Sequence, residues 1–144
     1  MRPIYLLDTN VISELARPRP NRDVEKSFFR HMNVSAIPVV AWGECLYGLK
    51  KATNSTTNER LADFYYNNIL ENFSFLPFDE HAASIYSDIK SRLMAIGNPA
   101  PELDMQIAAT AIANNAILVT RNVKDFQNIE EVSALMLENW FDEP

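Results

Sequence analysis

The sequence predicts an α/β domain built on a central parallel sheet, and two observations lead to this prediction. Short apolar segments of strand length alternate with longer segments in which apolar residues recur at helical spacing. The short segments are apolar throughout, which is typical of strands covered on both faces. The 144 residues contain no repeat, low-complexity tract or linker. We therefore expect residues 1–144 to form one domain, with four to five strands and helices on both faces.

Five segments have the composition and length of buried strands. They are residues 4–7, 34–40, 73–78, 116–120 and, with a weaker pattern, 134–137. Segments of helical pattern alternate with them, as crossover connections between parallel strands require. Ligands of such sheets bind outside the carboxyl ends of the strands. The functional site is therefore expected at that edge.

Local signals define helices between the first strands. The Arg-Pro repeat at residues 17–20 ends the first helix, and Asn21 is suited to begin the second. Pro38 marks the first turn of the next helix. Thr56 and Glu59 have the spacing of a capping box, which predicts that a further helix starts there.

Two more helices are predicted in the second half of the chain. Asp79 fits the N-cap of a long amphipathic helix, and Gly97 fits its end. An alanine-rich helix follows over residues 103–113. Its small side chains indicate close packing against the sheet.

The composition excludes several classes of protein. Apolar runs are far shorter than a membrane span, and no basic segment precedes a long apolar stretch at the N-terminus. We therefore expect no membrane segment and no secretory signal. The lone Cys45 cannot form an internal disulfide, which favours the cytoplasm. A net charge of -6 disfavours a broad basic surface for nucleic acid, unless metal ions neutralise some carboxylates.

Four acidic residues are candidates for a site at the carboxyl edge of the sheet. Asp8 directly follows the first strand, and Asp104 opens the alanine-rich helix. Asp125 lies just beyond the fourth strand. Glu44 is the one charged residue in the stretch IPVVAWGECLYGL, so we expect largely buried surroundings for it.

Carboxylates that converge without lysine or arginine partners repel one another, and a hard divalent cation relieves this repulsion. Oxygen ligands favour Mg²⁺ or Mn²⁺ over Zn²⁺, and such sites activate water and stabilise charge on a phosphate. We interpret Asp8, Glu44, Asp104 and Asp125 as catalytic metal ligands of a phosphodiester hydrolase. Structural alternatives are a helix cap for Asp8, a dipole interaction for Asp104 and an ordinary surface position for Asp125.

A nuclease with a negative net charge needs local cations to hold the backbone of its substrate. Arg121 and Lys124 flank the last acidic segment, so they are the candidates for phosphate contacts. His31 and His81 lie outside the acidic segments, and a catalytic role is not expected for either. Cys45 is expected to be a buried core thiol.

Four blocks of sequence carry a resemblance to a known family. They are LLDTNVISEL, IPVVAWGECLYG, LDMQIAATAIANNAILVTRNVKDF and LMLENW, in that order along essentially the whole chain. The chain resembles the PIN-domain ribonucleases, specifically the VapC-like toxins of bacterial toxin–antitoxin pairs. The resemblance implies a compact α/β domain and Mg²⁺- or Mn²⁺-dependent cleavage of RNA. It also implies a cognate antitoxin and, commonly, a homodimer.

The resemblance also assigns residues. Asp8, Glu44 and Asp104 match the three acidic positions that hold metal in the family, and Asn10 belongs to the first block. Thr120 matches a hydroxyl residue of the site.

The fourth acidic position departs from the commonest pattern. Many relatives have an acid two residues after the threonine, where this chain has Asn122. Others have Asn there and an acid three residues later, as in Asp125. We assign Asp125 as the fourth carboxylate and Asn122 as a polar support.

One alternative function stays open at this point. A catalytically idle domain of the same fold would bind only an antitoxin or another partner protein. The clustering of like charges argues against it, since an idle site gains nothing from that repulsion. The aromatic residues of segment 56–73 fit either a dimer interface or closure of the core.

Overall fold

The computed structural model describes residues 2–141 and has a five-stranded sheet as its centre. The strands are β1 (Tyr5–Leu7), β2 (Ser35–Pro38), β3 (Ser74–Leu76), β4 (Ile117–Val119) and β5 (Met136–Glu138). Their order across the sheet is β3-β2-β1-β4-β5, and every neighbouring pair is parallel. The predicted fold class is confirmed.

Seven α-helices connect the strands within the described residues. They are α1 (Thr9–Leu15), α2 (Arg22–His31), α3 (Val39–Lys51), α4 (Ser55–Asp63), α5 (Glu80–Ala95), α6 (Glu102–Ala113) and α7 (Val123–Val132). A 3-10 turn (Met32–Val34) precedes β2, and a π-helical turn (Phe64–Ile69) continues α4. The helix α7 was not predicted from the sequence, although Val123, Phe126 and Ile129 have helical spacing.

Two hydrophobic cores cover the two faces of the sheet. Successive strand residues point to opposite faces, so each strand contributes to both cores. Leu6 and Leu118 pack with α5, α6 and α7 on one face. Leu7 and Val119 pack with α1, α2 and the π-helical turn on the other. Continuous apolar strands follow directly from this double burial.

The sheet brings the ends of β1 and β4 together. Leu7 lies opposite Val119, and the amide of Asp8 donates to the carbonyl of Val119 at 3.0 Å. Asp8 and Thr120 therefore leave the sheet side by side. This is the edge where the sequence predicts the functional site.

Several predicted helix ends are confirmed. Asn21 Oδ1 accepts from the amides of Asp23 and Val24 at the start of α2. Asp79 Oδ1 accepts from the amide of Ala82 at the start of α5. Gly97 follows α5 with a positive φ of 69°, a conformation that glycine adopts without strain.

The predicted capping box at Thr56 is wrong. The N-cap of α4 is Asn54, whose Oδ1 accepts from the amide of Thr57 at 3.0 Å. Asparagine is among the preferred N-cap residues, and Asn54 begins the helix two residues before the predicted position. The segment continues into the π-helical turn, where Tyr65 and Ile69 close the core.

None of the helices in residues 2–141 combines the length and the hydropathy of a membrane-spanning segment.

Candidate active site

Asp8 is the most constrained carboxylate at the edge of the sheet. It lies directly after β1 and is only 7% exposed. Its Oδ1 accepts from the amide of Thr9 at 2.8 Å, so it does cap α1. Its Oδ2 accepts from Thr120 Oγ1 at 2.9 Å and from Asn10 Nδ2 at 3.3 Å. The carboxylate of Asp8 therefore caps α1 with one oxygen and accepts buried hydrogen bonds with the other.

Asn10 and Thr120 connect the ends of β1 and β4. Asn10 Nδ2 also contacts Thr120 Oγ1 at 3.2 Å, and its Oδ1 accepts from the amide of Arg121 at 3.0 Å. The amide of Asn122 donates to Thr120 Oγ1 at 3.1 Å. Asn122 thus supports the network through its backbone, while its side chain is exposed. We call Asp8, Asn10 and Thr120 the Asp8 corner.

Asp104 and Asp125 lie within electrostatic range of this corner. Asp104 is in the first turn of α6, and Asp125 is in the first turn of α7. The pKa of Asp104 is raised to about 6, mainly by burial and in addition by the charges of Asp8 and Asp125. Burial also raises the pKa of Asp8, opposed by its three hydrogen bonds and reinforced by Asp125. Three segments remote in sequence therefore share one acidic field.

None of these three carboxylates forms an ion pair within residues 2–141. The two ion pairs there join Arg17 to Glu14 and Lys90 to Glu102. For Asp8, which is buried, and Asp104, which is half-buried, the lack of a cationic partner is unfavourable unless something else compensates the charge. Asp125 is exposed, as the surface alternative expects. The negative charge at this edge is therefore available to a cation from outside the protein.

Glu44 differs from its predicted environment. Its side chain is exposed, because the buried face of α3 is formed by Ala41 and Cys45 instead. Burial raises the pKa of the Cys45 thiol to about 12, and the charges of Asp8 and Glu44 contribute to the rise. Glu44 is the chain neighbour of Cys45, and the structure gives no contact between Glu44 and either Asp8 or Asp104.

The acidic side chains are near one another without converging on one point. Among residues 2–141, no three His, Cys, Asp or Glu side chains have an arrangement that could hold a metal ion. Like charges repel, so carboxylates that share a field are not expected to converge by themselves.

Two clefts share lining residues in the N-terminal half of α7. One has a volume of about 550 Å³ and contains both Asp104 and Asp125; we call it the Asp104 cleft. The other has a volume of about 460 Å³ and contains Arg121; we call it the Arg121 cleft. Lys124, Asp125 and Gln127 line both of them. The acidic field is therefore flanked by open space on two sides.

These observations agree with a comparison against known families. The family model of the PIN domain matches residues 5–132, a range that includes the Asp8 corner, Asp104 and Asp125. The chain belongs to the PIN domain family. The resemblance found in the four sequence blocks is thereby confirmed.

Relatives of this PIN domain carry names that describe toxins and ribonucleases. The chain is 29% identical over 143 residues to Ribonuclease VapC2 of Rickettsia felis, covering 95% of this chain and 98% of the relative. It is 35% identical over 129 residues to Toxin FitB of Neisseria gonorrhoeae, covering 85% and 91%. The crystal structure of FitAcB from Neisseria gonorrhoeae superposes with a TM-score of 0.86 and 29% identity, covering 97% of this chain and 100% of that one.

The PIN domain positions both predicted phosphate contacts beside the acidic field. Arg121 and Lys124 are exposed and line the Arg121 cleft. The Arg121 guanidinium lies over the ring of Phe141, 4.6 Å from its centroid. This stacking is an attractive cation–π contact that restricts where the guanidinium can point.

The residues that were not expected to be catalytic, His31, His81 and Cys45, lie outside the acidic site. His31 ends α2, and its ring packs against Tyr5 and Trp140 at centroid distances of 4.6 and 5.7 Å. His81 is exposed in the first turn of α5. Cys45 is buried, as predicted for a core thiol.

Apart from Lys124, the polar residues that line the Asp104 cleft beside Asp104 and Asp125 were not predicted from the sequence. A usable signal was present in α7, where Lys124, Gln127, Asn128 and Glu131 recur at the spacing of one helix face. The remaining wall comes from the segment before α6, which has no such pattern. Its contribution depends on how that segment packs against α7.

Proposed function

We propose that this PIN domain is a metal-dependent endoribonuclease that acts as the toxin of a toxin–antitoxin pair. One observation carries the proposal. Asp8, Asp104 and Asp125 come from distant parts of the chain, and none has an ion-pair partner among the described residues. Burial raises the pKa of Asp8 and of Asp104, and the charge of Asp125 adds to both rises. The names of the two relatives, a ribonuclease and a toxin, support the same activity.

The chemistry of the donors fits a hard divalent cation. The candidates are carboxylate oxygens without cationic partners, which are the ligands that Mg²⁺ and Mn²⁺ prefer. Asp8, Asp104 and Asp125 would hold the ion, with Glu44 approaching from α3. The raised pKa values of Asp8 and Asp104 favour this role, because a bound cation stabilises the ionised carboxylates that burial disfavours. When bound, the ion activates water for attack and stabilises negative charge on the phosphate.

The residues of the Asp8 corner orient the carboxylate on which the site is centred. Thr120 Oγ1 and Asn10 Nδ2 both donate to Asp8 Oδ2 and therefore fix the plane of the carboxylate. The lone pairs that these donors leave free are available to a ligand. Outer-shell hydrogen bonds of this kind commonly support metal sites. Asn122 completes the arrangement by holding Thr120 through its amide.

Arg121 and Lys124 would hold the phosphates of the RNA backbone next to the cleaved bond. Both are within the cleft that shares Asp125 with the acidic field. A guanidinium stacked on Phe141 is already ordered, so less entropy is lost when it binds a phosphate.

The biological setting of the proposal follows the family. A cognate antitoxin and a homodimer are implied by the resemblance to VapC-like toxins. The exposed side chains Tyr66 and Leu70 are available for a dimer contact, whereas Tyr65 and Ile69 of the same segment are in the core. A lone buried thiol fits a cytoplasmic protein.

A cleavage assay tests the activity. Purified protein free of any antitoxin is incubated with end-labelled RNA and Mg²⁺ or Mn²⁺, with EDTA in parallel. We expect cleavage with metal and none with EDTA. The Asp8→Asn variant should lose at least about 100-fold in rate, because several kcal/mol of charge stabilisation depend on the ion. Expression of the same variant should no longer inhibit growth.

Asp88→Asn is the matched control, since Asp88 is an exposed aspartate on α5 outside the site. This variant should cleave like the wild type. Absence of cleavage by the wild type with either metal, together with intact binding of a partner protein, would favour an idle binding domain. An Asp8→Asn variant as active as the wild type would contradict the assignment of the site.

A further inference from the structure

The Asp104 cleft has a polar lining that the cleavage chemistry does not require. Beside Asp104 and Asp125, it presents three amide side chains and a third carboxylate, those of Asn98, Gln127, Asn128 and Glu131. Its volume of about 550 Å³ lies in the range of small-ligand sites, roughly 300–1,000 Å³. An RNA chain passing over Asp125 therefore has room there for one unpaired nucleotide.

The charge of this cleft argues against a phosphate as its occupant. Its one cation is Lys124, and three carboxylates face the same space. Asp104 and Asp125 are the proposed metal ligands, and the rest of the lining offers a phosphate no second cation but adds the carboxylate of Glu131. Arg121 and Lys124 offer a phosphate a better place in the neighbouring cleft. The amides are suited to a neutral group with both donors and acceptors, which describes the edge of a nucleobase.

The side chains that line this cleft have hydrogen-bonding capacity to spare. Asn128 Oδ1 accepts from the amide of Ile129, which leaves its Nδ2 as a donor. Within the described part of the chain, the side chains of Asn98, Gln127 and Glu131 make no hydrogen bond or ion pair. These groups are therefore able to bind a ligand without first breaking an internal contact.

The carboxylate of Glu131 has hydrogen-bonding properties that suit one of the four bases better than the others. An ionised carboxylate only accepts hydrogen bonds, so it pairs well with two adjacent donors. Guanine is the base whose Watson–Crick edge has two adjacent donors, N1–H and the N2 amino group. Adenine, cytosine and uracil each place an acceptor next to their single donor group, and that acceptor would face a carboxylate oxygen. The Asn128 amide donor matches the remaining guanine acceptor, O6.

The spacing along α7 suits this arrangement. Glu131 follows Asp125 by six residues, which corresponds to about 9 Å of helix rise. That length is comparable to the reach of one nucleotide from its phosphate to the far edge of its base. A guanine in contact with Glu131 would thus keep its own phosphate near Asp125 and Asp104.

We propose that the Asp104 cleft binds the base of an unpaired guanosine next to the cleaved phosphate, with Glu131 accepting from N1–H and N2–H₂ and Asn128 donating to O6. The proposal rests on the proposed ribonuclease function and names the specificity of the same site. The ligand class is a single-stranded RNA with guanine at one fixed position beside the cut.

The test uses short RNAs that differ at one base. Each nucleotide flanking the mapped cut is varied through guanosine, inosine, adenosine, cytidine and uridine, and kcat/KM is measured for the full chain. Inosine lacks only the N2 amino group. We expect guanosine to be preferred at one flanking position by tenfold or more over every other base, inosine included. Glu131→Gln should reduce kcat/KM for the guanosine RNA to the level of the inosine RNA.

Glu130→Gln is the matched control, because Glu130 is the adjacent exposed glutamate and does not line the cleft. It should retain the full preference for guanosine. If Glu131→Gln and the wild type show the same ratio of guanosine to inosine, the proposal is overturned. A wild type that cleaves without any flanking preference for guanine also overturns it and leaves the ribonuclease function intact.

A binding measurement separates the two proposals. Fluorescence anisotropy with the same RNAs is read on the Asp8→Asn variant and on Asp8→Asn combined with Glu131→Gln. A guanosine preference that needs Glu131 supports the guanine site even if the wild type cleaves no RNA, in which case the ribonuclease function alone fails. If no RNA binds and none is cleaved, both proposals fail.

Discussion

The Asp8 corner and the Asp104 cleft hold their carboxylates in different ways. Asp8 is 7% exposed and accepts three hydrogen bonds, from Thr9, Asn10 and Thr120. Asp104 is half-buried at a helix start, and no hydrogen bond to its side chain is found within the described residues. Its pKa of about 6 reflects burial and the charges of its acidic neighbours. The carboxylate of Asp8 is thus fixed by hydrogen bonds at the sheet edge. The carboxylate of Asp104 is not fixed in this way, and its surroundings favour the protonated form.

The difference indicates that the site combines one rigid carboxylate, that of Asp8, with carboxylates whose positions can adjust. Buried hydrogen bonds determine the orientation of Asp8 before any ligand arrives. Asp104 and Asp125 are free to move toward a ligand, since no partner restrains their oxygens. Such a site should lose activity when the hydrogen bonds to Asp8 are removed. Its dependence on pH should change when Asp104 or Asp125 is substituted.

Among substitutions that leave Asp8 itself in place, the largest effect is expected from loosening the Asp8 corner. Thr120→Val keeps the shape of the side chain and removes the hydroxyl that donates to Asp8 Oδ2. We expect about a 10- to 100-fold loss of RNA cleavage, as for outer-shell partners of metal ligands in general. Single-turnover cleavage at saturating metal and a titration with Mn²⁺ measure it.

Thr110→Val is the control for this change. Thr110 is equally buried, but its hydroxyl donates to the carbonyl of Gln106 within α6. Unfolding in urea should show destabilisation of both variants, with loss of cleavage only for Thr120→Val. Equal loss of cleavage in both would mean that Thr120 contributes stability rather than orientation.

A smaller effect concerns the stability of the protein in EDTA. The folded pKa of Asp104 is about 6, above its ordinary 3.8, so folding favours the protonated carboxyl. The contribution of Asp104 is therefore fully favourable below about pH 4 and is lost as the pH rises through 6. Asp104→Asn should raise the melting temperature at pH 7 by roughly 2–4 °C. This corresponds to about 1 kcal/mol for a half-exposed group.

Thermal unfolding at pH 4, 5, 6 and 7 measures this linkage. The difference between Asp104→Asn and the wild type should appear between pH 4 and 6 and stay constant above. A difference that is independent of pH would show that the ionisation of Asp104 is not its cause. With divalent ions present, protonation of the same carboxyl should reduce cleavage at acidic pH, with a midpoint below 6, because metal and protons compete for the carboxylate.

The smallest effect is the coupling between Asp104 and Asp125. Asp125→Asn removes one of the charges that raise the pKa of Asp104, while burial, the largest cause, stays unchanged. The pKa of Asp104 should fall only part of the way from about 6 toward its ordinary value. A carboxyl-detected NMR titration reads it directly, with Asp88→Asn as the variant that should leave it unaltered. A complete return to the ordinary value would mean that charge, not burial, dominates.

Much of the fold was accessible from sequence because it depends on local and periodic signals. Continuous apolar segments predicted the doubly covered strands, and Asn21, Asp79 and Gly97 each mark an observed helix end. The capping box at Thr56 failed because two positions only two residues apart, Asn54 and Thr56, both offer an N-cap, and sequence alone does not rank them. The π-helical turn that follows has no propensity pattern that predicts it.

The candidate site was accessible only in part. Chain order and strand ends located Asp8, Asp104 and Asp125, since a parallel sheet gathers its carboxyl ends at one edge. The exposure of Glu44 was not predictable from its apolar neighbours, because the rotation of α3 about its axis decides which residues face the core. Asn98 and Glu131 were missed for a similar reason. They meet through tertiary packing, and neither belongs to a sequence motif.

The hydrogen bond between Thr120 and Asp8 joins residues 112 positions apart, and it has a consequence for synthesis on the ribosome. A nascent polypeptide that has reached only β3 already contains Asp8 and Glu44, yet it lacks Asp104, Thr120 and the strand that carries the latter into place. Contacts of such long sequence separation form late in folding, because the entropic cost of closing the intervening loop must first be offset by other contacts. An unfinished translation product therefore lacks the hydrogen bonds that orient Asp8, and the acidic edge is completed only after β4 has docked beside β1.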